Sequence, residues 1–377
     1  MKLRDYQNDA ILALNESITD YHRDDGILFL QIPTGGGKTA IAVELAKQHI
    51  ELDPHNKVLW LAPEWNLIGQ ARETLFNVIG SEEHFRRIGV NETISAVRDL
   101  KTNTKGKIFL SSIHTWNRNQ EDLLDYRDHL LVIVDEAHWG INKIMMKSLY
   151  DFCHGNKAAG IPKAHVPLIG LTATPKIPVF VNYKTVYSIS FYELVELGYL
   201  AKPIIVLHDT EVEVTLKFSK DGNIEKKSLE QLNSKKRNNV VVGVVTDAPA
   251  DESRRGILFA PNITHANVLF KELSERNICC SIVHGDNANE KDNDKMISDF
   301  RKGNTNLMIA VNMLRQGFDV PEITDVFLVT PSNSEVAISQ MIGRGSRIIQ
   351  GKKEEFYVHD FHDIINESTA TKIFSRP

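Results

Sequence analysis

Apolar runs of strand length recur along the chain, separated by stretches whose apolar positions fall three and four residues apart. In the first half the runs are 26–32, 57–62, 107–112, 130–135 and 167–172, with helical patterns at 39–51 and 64–79. The second half repeats the scheme: runs at 203–207, 256–260, 278–283, 306–311 and 324–329, and helical patterns at 264–276, 290–302 and 334–342. Strands that are apolar throughout, with helices between them, imply parallel sheets covered on both faces. Two such sets predict two α/β domains, 1–200 and 201–377. Pro175, Pro178 and Pro203 punctuate the joint, where a short helix is expected over 190–197, docking across it. One region breaks the alternation. Residues 211–218 follow a period of two and lead into Asp221-Gly222, which predicts a hairpin.

Composition narrows the class. The 377 residues suffice for two or three cores, and 42% hydrophobic with 25% charged residues is ordinary for a globular protein. There is no apolar run long enough to span a membrane and no signal-peptide core, so a cytoplasmic protein without a membrane partner is expected. Three cysteines, two of them adjacent, offer no zinc spacing and no disulfide framework. A net charge of −5 argues against a polycationic binder but leaves room for one basic groove. The stretch 217–237 has seven Lys and Arg against three Asp and Glu. It reads first as a solvated face and second as a nucleic-acid-facing element.

The densest chemistry is at Ile32-Pro33-Thr34-Gly35-Gly36-Gly37-Lys38-Thr39, between a strand and a helix. Glycines there leave backbone N–H groups to surround phosphate oxygens, and the helix dipole adds positive potential. Lys38 is placed to reach the β- and γ-phosphates, and the Thr39 hydroxyl to ligate Mg²⁺. Ile32 stands where the general pattern has glycine, so no strained turn is encoded at that point. A second element is the run 130–138, which delivers Asp135 and Glu136 at the carboxyl end of an apolar strand, where α/β folds bind ligands. Asp135 is a candidate Mg²⁺ ligand, and Glu136 a candidate to orient and deprotonate an attacking water.

With Asp135-Glu136-Ala137-His138 in place, the chain resembles the superfamily 2 helicases and translocases over nearly its whole length. Leu3-Arg4-x-Tyr6-Gln7 is similar to the adenine-reading motif. Pro33 to Thr39 is similar to motif I, Leu61-Ala62-Pro63 with Gln70 to motif Ia, and 111–115 to the next strand-gripping motif. Asp135 to His138 matches motif II, and Leu171-Thr172-Ala173-Thr174-Pro175 motif III. Residues 257–260 resemble motif IV. Residues 312–321, with Gly317-Phe318-Asp319, resemble motif V, and Gln340-x-x-Gly343-Arg344-x-x-Arg347 resembles motif VI. The resemblance implies two tandem RecA-like parallel-sheet domains with a nucleotide cleft between them. It implies ATP and Mg²⁺ as cofactors and Arg4, Gln7, Gly317 and Asp319 among the nucleotide-site residues. Arg344 and Arg347 are expected three apart at a helix start, on one face, reaching the γ-phosphate when the domains close. Arginine fingers of this kind are worth roughly 10³–10⁵ in rate. Gln340 joins them as a catalytic candidate.

Motifs Ia, III and V are expected to hold a strand through its phosphates, without reading sequence. Trp65, Trp116 and Trp139 are candidates for stacking on bases or for the core, and His114 and His284 for touching substrate. The form of motif VI and the stretch 191–203 look like DNA-directed members, such as restriction-enzyme motor subunits and repair helicases of the RadD kind. The expected partner is therefore nucleic acid, DNA first and RNA as the alternative, acted on by a monomeric ATPase core. The chain lacks the cysteine-rich segment of those repair relatives and stops soon after motif VI. That favours a second reading, a clamp or the motor subunit of a larger protein complex without unwinding of its own.

Overall fold

The structure, a computed structural model, describes residues 3–21, 26–63, 65–79, 94–96, 107–137, 143–173, 182–212, 214, 216–217, 225–247, 254–284, 290–311, 320–332, 335–349 and 351–362. The chain divides into two compact units, Met1–Phe191 and Tyr192–Pro377.

In the first unit the order is α1 (Asp5–Thr19), β1 (Ile27–Gln31), α2 (Lys38–Leu52), β2 (Lys57–Ala62), α3 (Trp65–Ile79), β3 (Ile94–Ala96), β4 (Ile108–Ser112), α4 (Ile113–Asn119), β5 (Leu130–Val134), α5 (Lys143–His154), β6 (Leu168–Thr172) and β7 (Tyr183–Ser188). The strands form one parallel sheet ordered β3-β4-β2-β5-β6-β1-β7. Strands β4, β5 and β6 are buried along their full length, as a sheet covered on both faces requires. Phe109, Trp116 and Phe152 anchor the core on one face. Truncating a buried aromatic of this kind to alanine costs about 3–5 kcal/mol.

The second unit opens with the short helix α6 (Phe191–Glu196), whose first residue closes the first unit. It contains β8 (Lys202–Asp209), α7 (Lys226–Leu232), α8 (Lys235–Asp247), β9 (Gly256–Phe259), α9 (Ile263–Glu275), β10 (Cys280–His284), α10 (Glu290–Lys302), β11 (Leu307–Val311), β12 (Asp325–Leu328), α11 (Glu335–Ile342) and β13 (Glu355–His362). Its parallel sheet is ordered β10-β11-β9-β12-β13-β8. The expected two sets of parallel α/β structure are therefore present.

The hairpin expected at 211–218 falls partly outside the described residues. Among its described residues, 211, 212, 214, 216 and 217, none is in a strand. Val214 is fully buried, which pins the segment to the body of the unit. Lys217 N donates to Ser228 Oγ at 2.9 Å and Glu225 N to Lys217 O at 2.8 Å, tying the stretch to α7. Asp221-Gly222, Pro175 and Pro178 lie outside the described residues. Among the described residues no helix is long and apolar enough to cross a membrane.

Candidate functional site

Residues 32–37 leave the carboxyl end of β1 and turn into α2. Ile32 is fully buried and extends the ladder, its N–H donating to Thr172 O at 3.0 Å. This is why a β-branched residue serves where glycine is usual. Gly36 N donates to Pro33 O at 3.0 Å, closing a turn with Gly35 at φ 86°. Gly37 caps α2 at φ 80°, a conformation costly for any residue with a Cβ. Helices α4 and α9 are capped by the side chains of Ser112 and Asn262, whereas no side chain caps α2. Its first amides therefore point toward the loop's concave side. Lys38 is buried, and its Nζ donates to Ile32 O at 3.0 Å across the loop. Thr39 follows in the first turn of α2. The Thr34 hydroxyl is buried with no partner among the described residues. An orphaned polar atom beside an uncapped helix start suits a phosphate oxygen.

Two strands along the same edge, about 10 Å away, β5 ends at the acidic turn. Asp135 N donates to Leu61 O at 2.7 Å, and Glu136 N to the Asp135 carboxylate at 2.9 Å. Glu136 sits at φ 47°, a left-handed conformation that is uncommon outside glycine and concentrates at functional sites. Burial pushes the Asp135 carboxyl up to about 7, the adjacent Glu136 charge adds to the shift, and Lys38 opposes it. The carboxylate and the lysine are thus electrostatic neighbours. Strand β6 lies between the two loops and ties both: Thr172 O holds Ile32 N, and Leu171 O holds Ala137 N at 2.8 Å.

The first turn of α1 completes the cradle. Arg4 N donates to Gln7 Oε1 at 2.9 Å, and Gln7 is buried. Gln7 Nε2 lies 2.6 Å from the point where a Cβ on Gly37 would stand. The Tyr6 hydroxyl donates to Gly36 O.

In the second unit, Gln340 is buried near the end of α11, and its Oε1 has no partner among the described residues. Arg344 and Arg347 do not open a helix, as expected from the sequence; they follow one. Helix α11 ends at Ile342, and 343–345 form a turn in which Gly343 N donates to Ser339 O at 2.9 Å. At Gly345 a Cβ would lie 2.3 Å from Phe356 Cδ2, so the turn packs on β13 too closely for a helix to continue through a larger residue. Both arginines are partly exposed. Gly317 and Asp319 lie outside the described residues.

The model of the type III restriction enzyme res subunit matches residues 1–177, and that of the helicase conserved C-terminal domain matches residues 243–349. The chain belongs to the superfamily 2 helicases. A relative is the Saccharomyces cerevisiae protein IRC3, which carries the name of an ATP-dependent helicase. It is 25% identical over 376 residues, 95% of this chain and 51% of that protein. The chain spans about half the length of the curated relatives it matches. Among solved structures, a fragment described as an HsdR subunit of a type I restriction enzyme from Vibrio vulnificus YJ016 aligns with TM-score 0.70 and 19% identity. It covers 99% of this chain and 66% of that one. Saccharomyces cerevisiae Dbp5 bound to RNA and ADP BeF3 aligns with TM-score 0.58 and 18% identity, covering 99% and 86%. These likenesses give the fold, two tandem RecA-like domains.

The expected strand contacts divide. Ser111 and Ser112 end β4; Ser112 Oγ accepts from Thr115 N at 3.1 Å, and His114 is exposed beside them. Pro63 follows β2, Gln70 lies on α3, Thr172 ends β6 and His284 ends β10. Trp116 is fully buried and packs edge-on against Phe152 at 5.5 Å. It is a core residue and no stacking platform. Trp65 is in α3 with its side chain undescribed, and His138, Trp139, Thr174 and Pro175 lie outside the described residues. Sequence reasoning gave no role to Tyr6 or to the carbonyls of β6. Tyr6 is thirty positions from Gly36, and only the fold joins them.

Proposed function

We propose that this chain is a Mg²⁺-dependent ATPase stimulated by nucleic acid, DNA in the first place, and that it moves along a strand. The observation that supports this best is the uncapped glycine cradle of α2 joined through β6 to a buried acidic turn. Amides of 35–39 and the Lys38 ammonium bind the β- and γ-phosphates, and Gln7 meets the adenine edge. Thr39 and Asp135 would hold Mg²⁺, which supplies charge neutralisation at the phosphates. Glu136 takes a proton from water as the water oxygen bonds to the γ-phosphorus and the bond to the β,γ-bridging oxygen breaks, giving ADP and inorganic phosphate. Arg344 and Arg347 neutralise the charge on the transferring group once the two domains close, and Gln340 orients them. Closure and reopening alternate the grip on strand phosphates.

The experiment is ATP turnover against single-stranded, duplex and forked DNA and RNA at one salt concentration, with Lys38→Ala, Glu136→Gln and Arg347→Ala alongside the parent. Each variant should lose stimulated turnover by at least 10³-fold or so. If turnover survives in all three, the roles are wrong. Preference for DNA rests on the restriction-type match over the first half, and a larger response to RNA reverses it. The second reading, a motor subunit of a larger assembly, draws on the match of residues 1–177 to the model of a restriction enzyme subunit. It predicts that the purified chain hydrolyses ATP but leaves a tailed duplex intact.

A further inference from the structure

Three successive glycines give the phosphate loop more backbone freedom than side-chain-bearing residues allow, so its shape needs an outside constraint. One side is fixed locally, by Gly36 N donating to Pro33 O at 3.0 Å. The other side is held from α1. The Tyr6 hydroxyl donates to Gly36 O, and Tyr6 is only 4% exposed, so water competes little for that bond. The next residue, Gln7, is itself anchored by Arg4 N and crowds Gly37 from above. One helical turn thus touches two consecutive glycines of the cradle.

We propose that Tyr6 is a positioning residue for triphosphate binding: its hydroxyl fixes the Gly36 carbonyl, so the amide edge of the cradle faces the phosphates before a ligand arrives. This rests on the triphosphate reading of the site. The role is separate from base recognition, because the hydroxyl bonds the loop rather than a base. Without it the ligand must order the loop itself, a loss of about five- to tenfold in affinity.

The test uses the full chain and Tyr6→Phe, which keeps the buried ring and removes only the hydroxyl. Affinities for MgATP, MgGTP and inorganic tripolyphosphate are measured by calorimetry, and hydrogen exchange of residues 34–37 is followed with and without tripolyphosphate. Tyr6→Phe should weaken all three ligands by the same factor. Exchange of the Gly36 amide, which donates to Pro33 O, should be slower in the unliganded parent than in the unliganded variant, with tripolyphosphate narrowing the difference. Equal affinities in parent and variant overturn the role of Tyr6. So does a loss confined to MgATP, or a Gly36 amide that exchanges equally fast in the unliganded parent and the unliganded variant. A parent that binds neither MgATP nor tripolyphosphate overturns the triphosphate reading instead.

Discussion

At the scale of single residues, the phosphate loop and α8 contain glycines with opposite consequences. Gly37 combines φ 80° with a Cβ position 2.6 Å from Gln7 Nε2. Gly37→Ala imposes a left-handed alanine, about 1–2 kcal/mol, and displaces the amide expected to meet the base. Gly243 lies inside α8 at ordinary φ, with nothing within 4 Å of its Cβ position. Gly243→Ala should stabilise by about 0.5–1 kcal/mol through helix propensity and a less free unfolded chain. Thermal unfolding and MgATP affinity of the two variants check the pair: the first falls in both, the second rises in midpoint with affinity kept. A Gly37→Ala protein as stable as its parent would sink the account of the loop. Lys38, Thr39, Asp135 and Glu136 were legible in the sequence because their chemistry is written in adjacent positions. The contacts of Tyr6 with Gly36 and of Thr172 with Ile32 were not, because they join residues far apart in the chain.

At the scale of elements, β4, β5, β6 and β11 were legible as apolar runs because they are buried throughout, and the edge strand β8 was legible although it is not; β7 and β13, with polar sequences, were missed. Strand β7 is an exposed edge, with Tyr183 49% accessible. Strand β13 is internal, yet His359 and Asp360 interrupt its apolar residues, and its partner charges come from another strand. Asp325 on β12 accepts from Arg254 Nε at 3.0 Å and pairs with His359 Nε2 at 3.1 Å. His359 Nδ1 in turn meets His208 Nε2 of β8 at 3.0 Å. Burial, with the His359 charge adding, lowers His208 to about 4; burial, with Arg237 adding, lowers His265 on α9 to about 3. Burial alone raises Asp325, but hydrogen bonds from His359, Arg254 and Thr324 outweigh it and carry the carboxyl below its ordinary value. In all three cases the folded unit binds fewer protons than the unfolded chain. The stability they supply is complete above about pH 6.5 and is lost as pH falls through the histidine window and then the carboxylate range. Hydrogen exchange of β8, β12 and β13, corrected for intrinsic rate, should therefore show progressively less protection from pH 7 to pH 4.5, with a shallower slope in His208→Gln. Protection that stays level or increases over that interval would exclude this linkage. The readout has to be local, because Asp135 in the first unit is shifted in the opposite sense.

At the scale of the whole molecule, a chain of net charge −5 could grip a polyanion only through local groups rather than its total field. The log of strand affinity should then fall with log salt at about −0.7 per phosphate contact on a single strand, with the same slope for different base sequences. If ATP closure and strand grip are one conformational equilibrium, linkage adds a stricter demand. A non-hydrolysable ATP analogue must change strand affinity by the same factor as strand changes analogue affinity. The two RecA-like units each have their own sheet and core, so under the proposed function coupling would run through a contact made when both engage one nucleotide. Arg347 is the candidate for that contact, because it follows α11 in the second unit while the cradle and acidic turn belong to the first. The coupling factor should lie between about 5 and 150 in the parent chain, equal within error from both directions. In Arg347→Ala it should collapse toward one while strand affinity without nucleotide is retained. Measuring all four arms of the cycle at one salt concentration separates the outcomes: an unchanged factor in the variant removes Arg347 from the coupling, and a factor of one in the parent removes coupling altogether, leaving a clamp whose ATP and strand sites act independently.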